Sequence, residues 1–161
     1  MKTQERVNQL VLELGLLPHP EGGFYKETYR SASSIKTPNG ERNLSTVIYF
    51  LLTSNNVSKF HRIQSDEHWF WHEGSPLTIH VLDNGKHHQL SLGPLNSSGS
   101  NPQHLVQAKK IFGSSVDELG SYALVSCVVS PGFDFKDFEL FSEDQLFKLY
   151  PNSKEIIKRL T

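Results

Sequence analysis

The stretch HRIQSDEHWFWHEG, residues 61–74, places three histidines among carboxylates and two tryptophans. That mixture serves metal binding, acid–base chemistry or plain strand packing. Alternation decides which of these side chains act together. If SKFHRI is a strand, Lys59, His61 and Ile63 project to one face while Phe60 and Arg62 project to the other. EHWFW carries aromatics on both parities, so it reads as a central strand covered on both sides, with Glu67, Trp69 and Trp71 on the interior side. A histidine and a carboxylate facing one aromatic-lined interior shift each other's pKa and suit proton transfer or metal ligation.

The elements that must position them follow from periodicity. Val7, Leu10, Val11 and Leu14 recur at helical spacing, with Thr3 placed as a cap and Gly15 as a stop, which predicts an amphipathic helix over 4–14. After it the period becomes two. FYKETYR, NLSTVIYFLLT, SKFHRI, EHWFW, LTIHVLD, HHQLSL, HLVQ, KKIFG, YALVSCVV and FDFKDFEL succeed one another with turn residues between them, which argues for an all-β sandwich or barrel. Asp83-Asn84-Gly85 marks a tight hairpin, and residues 92–102 (LGPLNSSGSNP) mark a surface loop. In PGFDFKDFEL the apolar parity slips between Lys136 and Asp137, the mark either of a β-bulge that turns Asp137 inward or of a strand buried on both faces. Ser142 and Gln145 have capping-box spacing, and Ile156, Ile157 and Leu160 close the chain with a second short amphipathic piece.

Composition narrows the function classes. The 161 residues form one expected domain, 1–161. Sixteen Lys plus Arg against 17 Asp plus Glu, with no dense basic patch, exclude a nucleic-acid partner. The longest apolar run, Val47–Leu52, falls far short of the ~20 residues a membrane helix needs, and the N-terminal apolar residues are broken by Asn8, Gln9 and Glu13, so neither a membrane partner nor a secretory signal is expected. The single cysteine, Cys127, allows no internal disulfide, fits a reducing cytoplasm and reads as a small buried hydrophobe.

The spacing of His61, Ile63, Glu67 and Gly74 resembles the first metal-binding motif of the cupin superfamily, with Ile63 where a second histidine would stand. The second cupin motif would fall on QAKKIFG, where Gln107, Lys109 and Phe112 occupy its positions. The segments PHPEGGFYKETYRS, SDEHW and SPGFDFKDFELFS are more closely similar to the small single-domain cupins of unknown function, the fifth numbered cupin family, and matching blocks run from residue 18 through the last strand. That resemblance implies a double-stranded β-helix, or jelly roll, with an N-terminal helix and short C-terminal helices. It also implies a cytoplasmic homodimer and a conical cavity at one end of the barrel. It implies no reaction.

Three readings of the cavity remain open. In the first, His61 acts as a metal-free base and Glu67 or Asp137 orients it, as sugar-nucleotide epimerases of the same fold use a histidine, with Tyr49 returning the proton from the opposite face. The second is a metal-dependent enzyme with His61 and Glu67 as ligands, completed by His72, His80 or His104; no cofactor is the favoured expectation. The third is a binding module in which Tyr49, Trp69, Trp71 and Phe112 wall a pocket for a small polar, carbohydrate-like molecule that Gln64, Gln103 and Asp137 help to orient. PEGG is expected to be structural at its glycines, and the resemblance alone brings Glu21 toward the cavity rim.

Overall fold

The computed structural model describes residues 2–95 and 99–161. Helix α1 (Thr3–Leu14) begins one residue earlier than expected, with Lys2 rather than Thr3 at the cap, and ends at Gly15 in the left-handed conformation, φ 63°. Its buried Val7 and Leu10 pack with Leu16 on Leu51 and Leu124. Arg6 fastens the helix to the barrel through Glu73, 2.6 Å away.

Thirteen strands are described: β1 (Leu17–Pro18), β2 (Phe24–Arg30), β3 (Ser34–Thr37), β4 (Gly40–Asn43), β5 (Thr46–Thr53), β6 (Val57–Arg62), β7 (Asp66–Gly74), β8 (Leu77–Asp83), β9 (Lys86–Leu92), β10 (Gln103–Val106), β11 (Ile111–Ser115), β12 (Tyr122–Ser130) and β13 (Glu139–Leu140). They form one six-stranded sheet, β1-β2-β5-β12-β7-β10, and one five-stranded sheet, β13-β6-β11-β8-β9, with β3-β4 as a separate hairpin. The main core lies between the two sheets, where Phe50, Trp69 and Val125 of the first meet Ile79 and Phe112 of the second, with Ile63 just past the end of β6. This is the double-stranded β-helix that the resemblance implies, within the sandwich or barrel class that the strand pattern predicts. Helices α2 (Glu143–Leu149) and α3 (Lys154–Arg159) cover the outside of the five-stranded sheet, packing Leu146, Ile157 and Leu160 on Phe60 and Leu82. The Ser142–Gln145 capping box forms at the start of α2, as expected. The Asn84-Gly85 turn has both residues at positive φ, 49° and 74°. Among the described residues no helix is long and apolar enough to cross a membrane.

Two segments differ from the sequence reading. The run FDFKDFEL is neither a bulged strand nor one buried on both faces. Asp134 caps a 3-10 turn, Phe135–Asp137, by accepting a hydrogen bond from the Lys136 N–H, and only Glu139 and Leu140 pair as strand. The parity slip is the signature of that turn. The hairpin β3-β4 carries mostly exposed polar residues, so it offers no alternating apolar face to read. The loop expected over 92–102 lies in part, at 96–98, outside the described residues.

Candidate active site

A cavity of about 370 Å³ opens between the sheets. Alternate residues of three neighbouring strands form one wall: Thr46, Ile48 and Phe50 of β5, Cys127 and Val129 of β12, Glu67 and Trp69 of β7. His61 and Ser58 enter from β6. They have opposite parity, so a plain strand would separate them. The pairing of β6 with β11 slips between Ser58–Ser114 and His61–Phe112, and this bulge turns both inward. The slip sends Phe60 into the packing under α2 and α3 and leaves Lys59 exposed, not inward beside His61 as plain alternation predicts.

The same bulge aims the Lys59 carbonyl at the imidazole. His61 Nδ1 lies 2.7 Å from Lys59 O and 2.9 Å from Glu21 Oε2. Both oxygens only accept, so Nδ1 carries the hydrogen and Nε2 is left for a ligand. His61 rests against Phe112, with ring centroids 4.2 Å apart. Burial works against its charged form, but the charge and hydrogen bond of Glu21, the charge of Glu67 and the Lys59 carbonyl outweigh burial and hold its pKa above the ordinary value.

Glu21 arrives from the turn between β1 and β2. Gly22 and Gly23 adopt φ 111° and 75°, and a Cβ on them would stand 2.1 Å from Val57 O and 2.6 Å from Leu51 O. Only glycine lets this turn lie against β5 and β6 and push Glu21 inside. Ser58 Oγ donates to the Glu21 carboxylate at 3.2 Å. Burial would raise the Glu21 pKa, yet the charge and hydrogen bond of His61, helped by His19 and Ser58, bring it below the usual carboxylate value. The His19 ring accepts from the Glu21 N–H at 3.1 Å and packs edge-on against Tyr25; burial lowers its pKa and keeps it neutral.

Glu67 is in the opposite condition. Burial raises its pKa to about 7, against the charge of His61 and with that of Glu21. Its hydrogen-bond partner is the Cys127 thiol, which burial and the nearby carboxylates hold protonated. The cavity thus joins a histidine held through Nδ1 by Lys59 and Glu21, its Nε2 turned to neither, to a carboxyl group that exchanges its proton near neutrality, a combination suited to moving protons on a bound molecule.

Of the residues singled out from sequence, His61, Glu67 and Trp69 line the cavity. Phe112 supports the His61 ring from behind. Trp71 continues the inner face of β7 opposite Val125, beyond the cavity lining. Tyr49 does not reach it: the period of two sends it to the outer face, edge-on to His72, whose Nε2 is 2.5 Å from Ser126 Oγ. Gln64 and Asp137 line a separate cleft beside the β3-β4 hairpin, where Asp137 takes both Nε and a terminal nitrogen of Arg42 at 2.7 and 2.8 Å. Asp137 therefore does not orient His61; Glu21 does. Gln103 is exposed on the edge strand β10. The sequence reading placed no weight on Ser58 and little on Glu21, although the paired glycines of PEGG were the available signal for Glu21.

The profile of the family described as Cupin superfamily (DUF985) matches residues 8–141. The chain belongs to this cupin family. An uncharacterized protein of Saccharomyces cerevisiae is 33% identical over 156 residues, covering 87% of this cupin and 78% of the yeast protein. A hypothetical protein from Leishmania major superposes with a TM-score of 0.89 at 40% identity, over 96% of this chain and 97% of that one. A Shewanella oneidensis protein gives 0.88 at 41% identity, over 96% of each.

A cupin fold raises the question of a metal. The residues of this cupin do not fit one. Ile63 and Phe112 are buried hydrocarbon at two of the motif positions, which leaves His61 and Glu67 short of the three or four protein ligands such an ion takes. The other histidines considered lie elsewhere: His72 on Ser126, His80 between His87 and Ser115, His104 on the Ser91 carbonyl. Among the described residues no group of three His, Cys, Asp or Glu side chains could hold an ion.

Proposed function

We propose that this cupin binds a small polar hydroxy-carbonyl compound in the cavity and isomerises it by proton transfer, with His61 as the base and Glu67 as the acid. The observation that carries this reading is the His61 imidazole, held through Nδ1 by Lys59 and Glu21, in the same cavity as a carboxyl group whose pKa is about 7.

The step balances without a cofactor. Nε2 of neutral His61 removes the proton from the carbon beside the carbonyl. That C–H pair becomes the C=C bond of an enediol, and the carbonyl π pair moves to oxygen and takes the proton of Glu67. Glu67 then accepts the proton of the second hydroxyl, the new carbonyl forms, and imidazolium His61 protonates the neighbouring carbon. Glu21 holds the imidazolium as it forms, and the Lys59 carbonyl fixes the tautomer. A 1,2-shift needs only one base on one face. Epimerisation needs an acid on the far face, and Tyr49, the expected donor, points outside the barrel. Isomerisation is therefore preferred over epimerisation.

The test is deuterium wash-in from solvent at the carbon beside the carbonyl of candidate sugars. Wild type should exchange, His61→Ala should lose at least roughly 100-fold, and Glu67→Gln a comparable amount. Equal exchange in wild type and His61→Ala would remove His61 as the base. Binding with no exchange in the wild type would leave a non-catalytic binding protein.

A further inference from the structure

The charges around the cavity restrict what can enter it. Among the described residues four carboxyl groups line it, Glu21, Glu27, Glu67 and Asp134. Against them stand Arg30 and His61, with His19 kept neutral by its burial. Both cations are already engaged. Arg30 Nε is 2.6 Å from Glu27 Oε1, and a terminal nitrogen donates to Asn43 Oδ1 at 2.9 Å and to the Phe133 carbonyl at 3.1 Å. His61 is paired with Glu21. Recognition of a phosphate calls for a free guanidinium fork or a cluster of N–H donors, and the lining offers only the second terminal nitrogen of Arg30.

The rest of the lining suits an uncharged molecule. Phe50, Trp69 and Phe133 present ring surface to C–H groups, while Glu67 and His61 Nε2 exchange hydrogen bonds with hydroxyls. The volume, about 370 Å³, lies at the small end of the roughly 300–1,000 Å³ typical of small-molecule sites.

We infer that the cavity selects an unphosphorylated polyhydroxy carbonyl compound of monosaccharide size and rejects phosphate esters and nucleotide-linked forms of the same sugar. The carbonyl part of this inference rests on the proton-transfer reading above; the selection by charge does not. A dianionic ester would bring further negative charge into a lining whose carboxyl groups outnumber its cations four to two, and like charges in a partly buried cavity repel more strongly than in bulk water.

Calorimetry and thermal shift with pentoses and hexoses, each beside its phosphate ester, test the inference. Unphosphorylated members should bind and their esters should bind at least roughly tenfold more weakly. Glu27→Ala removes the carboxylate opposite Arg30 and frees its Nε side without touching His61, and it should narrow that ratio several-fold in favour of the ester. An ester that binds as tightly as its parent, or failure of every unphosphorylated member to bind, would overturn the inference. Deuterium wash-in on the same panel separates the two claims. Neutral sugars that bind without exchange keep the charge selection and remove the proton transfer, whereas esters that exchange faster than their parents keep the proton transfer and remove the charge selection.

Discussion

Two buried histidines in this chain show how a partner's charge decides a residue's role. His61 faces the carboxylate of Glu21, so it gains basicity despite its burial. His80, on the outer face of β8, has no carboxylate among its hydrogen-bond partners. Its Nε2 is 2.9 Å from Ser115 Oγ, whose hydroxyl donates onward to Asp117, and its Nδ1 is 3.0 Å from His87 Nε2. Burial, then the charge of His87, lowers its pKa to about 4, with Asp117 opposing and Arg159 reinforcing. Sign follows from linkage. The unfolded chain binds a proton at this side chain below about 6.5 and the folded chain does not until about 4, so the stabilisation by neutral His80 is complete above 6.5 and lost as pH falls toward 4. Glu67 acts in the opposite sense between about 4.5 and 7, and His61 does so above 6.5, because the folded chain holds their protons more tightly. The net profile hides the effect, but a variant exposes it. His80→Gln should be destabilised in urea unfolding at pH 7.5, and that deficit should shrink by roughly 2–3 kcal/mol at pH 4.5. A deficit independent of pH would show that His80 is not held neutral.

At the scale of elements, irregularities build the site. The β6 bulge brings Ser58 and His61 to one face, and the PEGG turn inserts Glu21 between two strands. Gly22→Ala drives a Cβ against the Val57 carbonyl, backbone that cannot step aside, and should cost roughly 2–4 kcal/mol and reduce isotope exchange together with stability. Gly85→Ala is the control: its φ is 74° but nothing lies within 4 Å of the added Cβ, so only conformational strain of about 1 kcal/mol is expected. Equal losses in the two variants would deny the turn its special place. These elements also mark what the sequence made legible. Period-two alternation in β5, β7 and β12 shows which residues share a face, which is why Glu67 and Trp69 were legible as cavity residues. The same alternation, applied to Tyr49, would have excluded it, since Ile48 and Phe50 are the inward residues of β5. Bulges break the alternation without a residue-type signal, so the inward turn of Ser58 was hidden. Glu21 depends on the packing of a turn against strands more than 25 positions away; the paired glycines signal a close approach but not which strands are approached.

For the molecule as a whole, the family assignment and the two-sheet architecture follow from motifs spread along the chain, and sequence carries them well. The chemistry does not follow from the fold. In this cupin two positions of the metal motif are filled by Ile63 and Phe112, and His61, the motif histidine present, is paired with a carboxylate from another part of the barrel. The central claim is that this partnership sets the proton affinity of His61. An NMR titration of the ¹⁵N-labelled imidazole rings, wild type beside Glu21→Gln, measures it directly. The expected result is Nδ1–H as the neutral tautomer and a His61 pKa above the ordinary 6.5 that drops when Glu21 loses its charge. A His61 ring that titrates at its ordinary value in both proteins would contradict it.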